Sequence, residues 1–134
     1  MIAFRKLHPL LRSGTHFQNR DWVDSGYPDM SWHGTKAWQI DYTDERPIIA
    51  LLLCGFHAKG GTERDDYIYV AMNMHWETHD FEIPKLPEGM LWHVSVNTDM
   101  LSPEDAWDVG HEVIVKNQFE FTVGPRSVVI LVGK

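Results

Sequence analysis

Apolar and polar residues alternate along much of the second half of the chain, as they do in strands that bury one face. The longest alternating run extends from Tyr67 to Trp76. Shorter runs follow it at Phe81–Ile83, Trp92–Val96, Val113–Val115 and Phe119–Val123. Turn residues separate these runs and no helical pattern lies between them, which argues against a parallel sheet with crossover helices. The pattern predicts an all-β fold, an antiparallel β-sandwich of seven or eight strands, for which a Greek key is one topology.

Two apolar runs show no alternation. Pro47–Phe56 contains IIALLLCGF and Ser127–Val132 reads SVVILV. Both are too short to favour a helix, and both fit strands that are buried on two faces. The segment Ala58–Asp66 between the first run and the alternating strand is rich in glycine and charge, so it is predicted to be a loop.

The first residues follow a helical rather than a strand-like spacing. Phe4, Leu7 and Leu11 recur at intervals that place them on one face of a short helix. Pro9 is predicted to kink or end this helix, because proline cannot donate a backbone hydrogen bond. The polar, turn-rich segment Ser13–Pro28 then predicts an irregular arm that leads into the sandwich.

Length and composition restrict the function classes. A chain of 134 residues suits one domain, and a net charge of -7 without a basic stripe argues against a nucleic-acid partner. No apolar run approaches the roughly 20 residues that span a bilayer, so no membrane partner is expected. Cys54 is the single cysteine, which excludes an intrachain disulfide and favours a reducing compartment. Since no signal peptide is recognisable, the predicted location is cytoplasmic.

Motifs for catalysis or metal binding are weak. The segment HWETH places His75 and His79 four residues apart with Glu77 between them. It ends a predicted strand, where the helical geometry that would align two imidazoles is lost, and no second ligand cluster accompanies it. The acidic pairs Asp65–Asp66 and Glu104–Asp105 are sequence neighbours in loops, where adjacent side chains diverge. We therefore expect no catalytic residue, no metal and no cofactor.

Six tryptophans are an unusual number for this length. Trp76 and Trp92 lie on apolar strand faces and are predicted to be core residues. Two others stand six residues apart in PDMSWHGTKAWQ, where flat rings could stack on a sugar and neighbouring polar groups could bond its hydroxyls. The candidate carbohydrate-contact residues are Asp29, Trp32, His33 and Trp38. The alternative interpretation is that these rings fold the segment back onto the sheet.

The order of several segments resembles one enzyme family. FRKLHPLLR at Phe4–Arg12 resembles the last barrel helix of the α-amylase superfamily of glycoside hydrolases. PDMSWHG, followed by Trp38, resembles the segment after that helix in isoamylase-type glycogen debranching enzymes. The C-terminal β-sandwich domain of those enzymes is similar to three further segments, Asp65–Glu77, Leu86–Thr98 and Gly124–Lys134. The resemblance covers nearly the whole chain and rests on the order and spacing of these pieces.

The resemblance implies a division of the chain and a noncatalytic function. Residues 1–37 would be a remnant of the last barrel helix with its connector, and residues 38–134 the C-terminal sandwich. The enzymes of this family cleave α-1,6 branch linkages with carboxylates on a barrel of about 250 residues. That barrel would lie upstream, so this chain alone is predicted to be inactive. Its partners would be the catalytic barrel, which the domain would stabilise, and an α-glucan. The domain would help to shape the cleft that binds this glucan.

Two other functions are compatible with the same residues. The chain could act as a free carbohydrate-binding module with Trp32 and Trp38 as its platform, or as an interaction domain without sugar affinity. The apolar stripe of Phe4, Leu7 and Leu11 would face the barrel in a complete enzyme. Without a barrel, we expect the stripe to pack on its own sandwich or to form a homodimer through the N-terminal helix.

Overall fold

The computed structural model describes residues 2–12, 16–40, 43 and 45–134. Met1, at the start of the predicted helix, and residues 13–15 of the predicted arm lie outside these ranges. Helix α1 spans Ile2–Leu7, and a 3₁₀ helix over Pro9–Arg12 follows it, so the predicted interruption at Pro9 is confirmed. The strands are β1 Met30–His33, β2 Ile48–Leu53, β3 Tyr67–Asn73, β4 His79–Glu82, β5 Trp92–Asn97, β6 Val113–Ile114, β7 Glu120–Val123 and β8 Ser127–Gly133.

All the strand pairs are antiparallel and form two sheets of unequal size. The main sheet has the order β1-β2-β3-β8-β5-β6, and β4 pairs with β7 in a second sheet. Phe81 of β4 and Val123 of β7, both in the small sheet, share one buried cluster with Tyr69 and Leu131 of the main sheet. The predicted all-β, antiparallel sandwich with a short N-terminal helix is therefore confirmed. The two continuous apolar runs became β2 and the central strand β8, as their composition indicated.

The inner face of the main sheet, which packs against the small sheet, carries the odd-numbered residues of β3. Tyr67, Tyr69 and Ala71 are buried there, and so is Asn73, whose side-chain amide donates to the carbonyl oxygens of Glu77, Val123 and Gly124. Trp92 is buried on the same side, as predicted. The prediction that Trp76 is a core residue is wrong, because β3 ends at Asn73 and the Trp76 side chain is 68% exposed.

The outer face of the main sheet carries the N-terminal helix. Phe4 and Leu10 are buried against Leu53, Ile68 and Val132 at one end of this face. Leu11 packs beside them, whereas Leu7 is exposed. The expected packing of the helix on its own sandwich is thus found for Phe4 and Leu11 but not for Leu7.

Two local features differ from the expectations drawn from the sequence. Met30–His33, which lie within the predicted connector, form β1 and pair with β2 at the edge of the main sheet. The sandwich therefore begins before residue 38. A 3₁₀ helix occupies Gly55–Gly61, where the end of a strand and a loop were predicted. A β-carbon at Gly55 would clash with the Asp65 carbonyl oxygen, so this close approach requires glycine.

The described part of the chain contains no helix with the length and apolarity that a bilayer span requires.

Candidate functional site

The four candidate carbohydrate-contact residues do not form one platform. Trp32 and His33 are consecutive residues of β1, so their side chains leave opposite faces of the sheet. The Trp38 ring contacts the His33 ring, and their centroids are 4.7 Å apart. Trp32 instead lies on the outer face beside Leu51 of β2. The exposed indoles of Trp32 and Trp38 therefore lie on different surfaces.

Asp29 holds the arm to the sheet. Its buried carboxylate accepts hydrogen bonds from the backbone N–H groups of Gln18 (2.8 Å), Arg20 (3.3 Å) and Met30 (2.8 Å). The indole N–H of Trp22 donates a fourth bond at 3.2 Å. Burial opposes ionisation of this group, but the four donors outweigh burial and hold the pKa of Asp29 below its usual value. The carboxylate that was expected to meet sugar hydroxyls thus has protein donors around it.

His33 is a buried, neutral hydrogen-bonding residue. Burial lowers its pKa to about 4, so the imidazole carries no charge at neutral pH. Nδ1 accepts the backbone N–H of Trp38 at 2.7 Å. The ring proton must then be on Nε2, which lies 2.8 Å from the Ser31 hydroxyl oxygen and donates to it. His33 consequently positions Trp38 and does not itself reach the solvent.

Trp38 is held in a backbone conformation that bulky residues rarely adopt. Its φ angle is 65°, in the left-handed region, which costs about 1–3 kcal/mol for a residue other than glycine. The bond to His33 and a contact with the Tyr27 ring, at a centroid distance of 5.8 Å, stabilise this conformation. The indole remains 47% exposed. A rigid, half-exposed aromatic ring is a suitable surface for stacking against an apolar sugar face.

A cleft of about 530 Å³ lies beside Trp38. We call it the Trp38 cleft, and its lining residues are Ala37, Trp38, Glu82, Ile83, Lys85, Asn117, Phe119 and Glu120. Phe119 adds a second ring that is 71% exposed. Glu82 and Glu120 are cross-strand partners in the small sheet and share one face of it. Aromatic rings together with carboxylate, amide and ammonium groups can hold a sugar by stacking and by bonds to its hydroxyls.

Most residues of this cleft are not among the predicted site residues. The alternating pattern predicts Phe119 on the apolar row of a strand with Phe121 and Val123, but β7 begins only at Glu120. Asn117 also bonds through its side chain to the Phe119 backbone N–H at 3.0 Å, which turns the chain before the strand. The available signal was the polar segment KNQ immediately before Phe119, which is typical of a turn.

A second open surface lies on the outer face of the main sheet. This outer-face groove has a volume of about 410 Å³ and is lined by Phe4, Arg5, Leu11, Leu51, Leu53, Ile68, Val70 and Ile130. Arg5 is the one charged residue among them. Trp32, which is 40% exposed, extends the same face at the β1 edge. A groove with so little polarity fits an apolar partner surface better than a sugar.

A serine and an aspartate of the arm also meet a histidine of the 3₁₀ helix Gly55–Gly61. Ser25 Oγ and Asp21 Oδ1 lie 3.3 Å and 3.4 Å from the same nitrogen, Nε2 of His57. A nucleophilic triad needs the serine and the carboxylate on different imidazole nitrogens, so that one orients the ring while the other receives the proton. Asp21 in addition accepts the backbone N–H groups of Ser25 and Gly26. This cluster therefore structures the arm rather than forming a triad.

A search against protein-family models gave no match to this chain, and a search of curated proteins gave none either.

Proposed function

We propose that the chain is a noncatalytic C-terminal accessory domain of an isoamylase-type glycogen debranching enzyme. In this proposal the domain packs on the catalytic barrel through the outer face of its main sheet and stabilises the barrel. The observation that carries the proposal is the outer-face groove, an apolar surface at the centre of the sheet that the N-terminal helix covers only in part.

Part of the apolar outer face lies beyond the N-terminal helix. Leu53 and Ile68 are buried at the end of the sheet, whereas Leu51, Val70 and Ile130, which line the same groove, are only partly buried. A contiguous apolar groove on a soluble domain is typical of a surface that another protein covers. The position of the groove supports the barrel as that partner, because the family resemblance assigns α1 itself to the barrel.

A second role involves the Trp38 cleft. Trp38 and Phe119 expose rings beside polar groups that can bond hydroxyls, which supports contact with an α-glucan. In the accessory domain this cleft would shape one side of the glucan-binding surface. In the alternative function, a free carbohydrate-binding module, the same cleft would be the whole binding site. The third function, an interaction domain without sugar affinity, would use the outer-face groove alone.

The proposal also includes a cytoplasmic location, where glycogen metabolism takes place in this enzyme family. Cys54 agrees with a reducing compartment, since it is buried and unpaired.

Three experiments test the proposal. Incubation with glycogen or pullulan should release no reducing sugar, and turnover above a buffer control would contradict a noncatalytic domain. Coexpression with an isoamylase-type barrel that lacks its own C-terminal domain should give a complex that coelutes on size exclusion. Light scattering on the chain alone tests for the remaining partner, a second copy of the chain. A stable dimer that does not exchange with the barrel would favour self-association through this face.

A further inference from the structure

The turn between β3 and β4 brings together His75, Glu77 and His79. His75 Nδ1 lies 2.9 Å from His79 Nε2, and one ligand atom from each of the three residues lies within 4.8 Å of the others. Both imidazoles are partly buried and Glu77 is exposed. We propose that this His75–Glu77–His79 cluster binds a divalent transition-metal ion of the zinc class. The inference is independent of the accessory-domain function.

The fold anchors the backbone on both sides of the cluster. Asn73, the last residue of β3, donates from its buried side chain to the Glu77 carbonyl oxygen at 2.9 Å. The backbone N–H of Arg126 donates to the His75 carbonyl oxygen at 3.0 Å. His79 is the first residue of β4 and is paired with Val123. Because these bonds fix the turn before an ion arrives, little ordering of the backbone would accompany binding.

The distances suit chelation. Two ligands that are each about 2.0–2.1 Å from a tetrahedral zinc ion are roughly 3.3–3.4 Å apart. The imidazole nitrogens would therefore separate by only a few tenths of an ångström to admit the ion. Glu77 has an exposed, flexible side chain that can bring a carboxylate oxygen into the third position. Two histidines and one glutamate leave a fourth position for water or for a ligand from solution, as in open zinc sites.

The proton balance is simple. In the free chain the short contact between the two ring nitrogens requires a hydrogen on either His75 Nδ1 or His79 Nε2. A ligating nitrogen must offer its lone pair to the ion, so this hydrogen shifts to the other nitrogen of the same ring when the ion binds. The Glu77 carboxylate offsets part of the charge of the ion. Mixed nitrogen and oxygen ligands suit Zn²⁺, Co²⁺, Ni²⁺ and Cu²⁺ better than Ca²⁺ or Mg²⁺.

Another cluster of potential ligands lies inside the fold, at His8, Asp65 and Asp66. There the Asp65 carboxylate already bonds to His8 Nδ1 at 2.6 Å and accepts the Leu10 backbone N–H at 3.0 Å. That cluster joins the N-terminal segment to the sheet, so we expect a single zinc ion per chain. The sequence alone predicts no metal at His75–His79, because a strand end lacks helical spacing. Helical spacing is indeed absent, but the tight turn brings the two imidazoles together.

Isothermal titration of the whole chain with ZnCl₂ tests the proposal. The expected result is one ion per chain, with an affinity at least roughly tenfold weaker in His79→Ala and a smaller loss in Glu77→Gln. His111→Ala is the matched control, since His111 is an exposed histidine outside the cluster, and its affinity should equal that of the unsubstituted chain. Long-range ¹H–¹⁵N spectra should show zinc-dependent shifts at His75 Nδ1 and His79 Nε2.

Circular dichroism establishes that each variant is folded before titration. If His79→Ala is unfolded, His79→Gln replaces it, because glutamine keeps a side chain of similar length at the start of β4. Absence of zinc binding to the unsubstituted chain at millimolar concentration would overturn the proposal. Equal zinc affinities in folded His79 variants and in the unsubstituted chain, or shifts confined to His8, would overturn it as well.

Discussion

The inner face of the main sheet carries Tyr67, Tyr69 and Ala71 from β3, whereas the outer face of the same strand carries Ile68, Val70 and Met72. By hydropathy the outer row is the more apolar, yet the inner row is fully buried, whereas on the outer row Ile68 is buried and Val70 and Met72 are only partly buried. The inner residues pack against the small sheet of the same chain, whereas the outer ones pack against the N-terminal helices and against Ala58, Phe17 and Val109. The outer apolar residues that this packing leaves partly exposed are thus the ones available to another protein.

Tryptophans on the two faces provide the sharpest test of this difference. Trp92→Ala removes a buried ring on the inner face together with its indole bond to the Pro84 carbonyl oxygen, so we expect a loss of about 3–5 kcal/mol in the free energy of unfolding. Trp32→Ala on the outer face should cost less than about 1 kcal/mol. Urea denaturation monitored by circular dichroism measures both losses, and equal losses would contradict the contrast between the faces.

The pKa of His33 makes the inner side sensitive to acid. Burial lowers its pKa from 6.5 to about 4, so the unfolded chain binds a proton at a higher pH than the folded chain does. The free energy of unfolding should be unaffected by this group above about pH 6.5 and should fall by about 3 kcal/mol on acidification to pH 4. In His33→Asn this loss should disappear, although the variant starts from a lower stability. Denaturation midpoints in both chains across this range measure it, and parallel pH profiles would contradict the assignment.

Tyr69 tests how completely the inner face is packed. Its hydroxyl oxygen is buried with no hydrogen-bond partner among the described residues, and burial raises the pKa of this group. Tyr69→Phe removes an unsatisfied polar atom while it keeps the ring, so the free energy of unfolding should rise by about 1 kcal/mol. A loss of more than that amount in the same urea assay would show that the hydroxyl has a partner.

The smallest effect on stability is expected at the Trp38 cleft, where the readout is glucan binding. Electrophoresis through a gel that contains glycogen should retard the chain, and Trp38→Ala should restore the mobility seen without glycogen. Trp32→Ala is the matched control, since Trp32 has a similar exposed fraction but lies on the outer face. Equal retardation of all three chains would remove the Trp38 cleft as a sugar site.

The strands were predictable from the sequence where alternation is long or apolar runs are continuous, as for β3, β2 and β8. β1 was missed because its four residues stand among proline, glycine and aspartate, which favour turns. The position of Trp76 was missed because periodicity does not tell where a strand ends. The fold also depends on contacts that no local pattern specifies, such as the three carbonyl oxygens that Asn73 binds.

The candidate site was predictable only in part. PDMSWHGTKAWQ indicated Trp38 as an exposed ring, but the role of His33 as its hydrogen-bond acceptor depends on the β1 edge. Phe119 and Glu82 reach the Trp38 cleft from segments that are distant in the chain, so only the three-dimensional fold joins them. The proximity of His75 and His79 likewise depends on the path of one turn rather than on their spacing.

The central claim is that the outer face of the main sheet is a docking surface. The affinity of the chain for an isoamylase-type barrel tests this claim most directly. It can be measured by titrating the isolated barrel, without its own C-terminal domain, into the unsubstituted chain and two variants. Trp32→Asp places a charge at the outer face, and Val113→Asp places the same charge on β6 at the opposite edge of the main sheet, in register with Val94 and Leu131 of the inner face. We predict binding that is lost in Trp32→Asp and kept in Val113→Asp. No binding by the unsubstituted chain, or equal binding by both folded variants, would contradict the account.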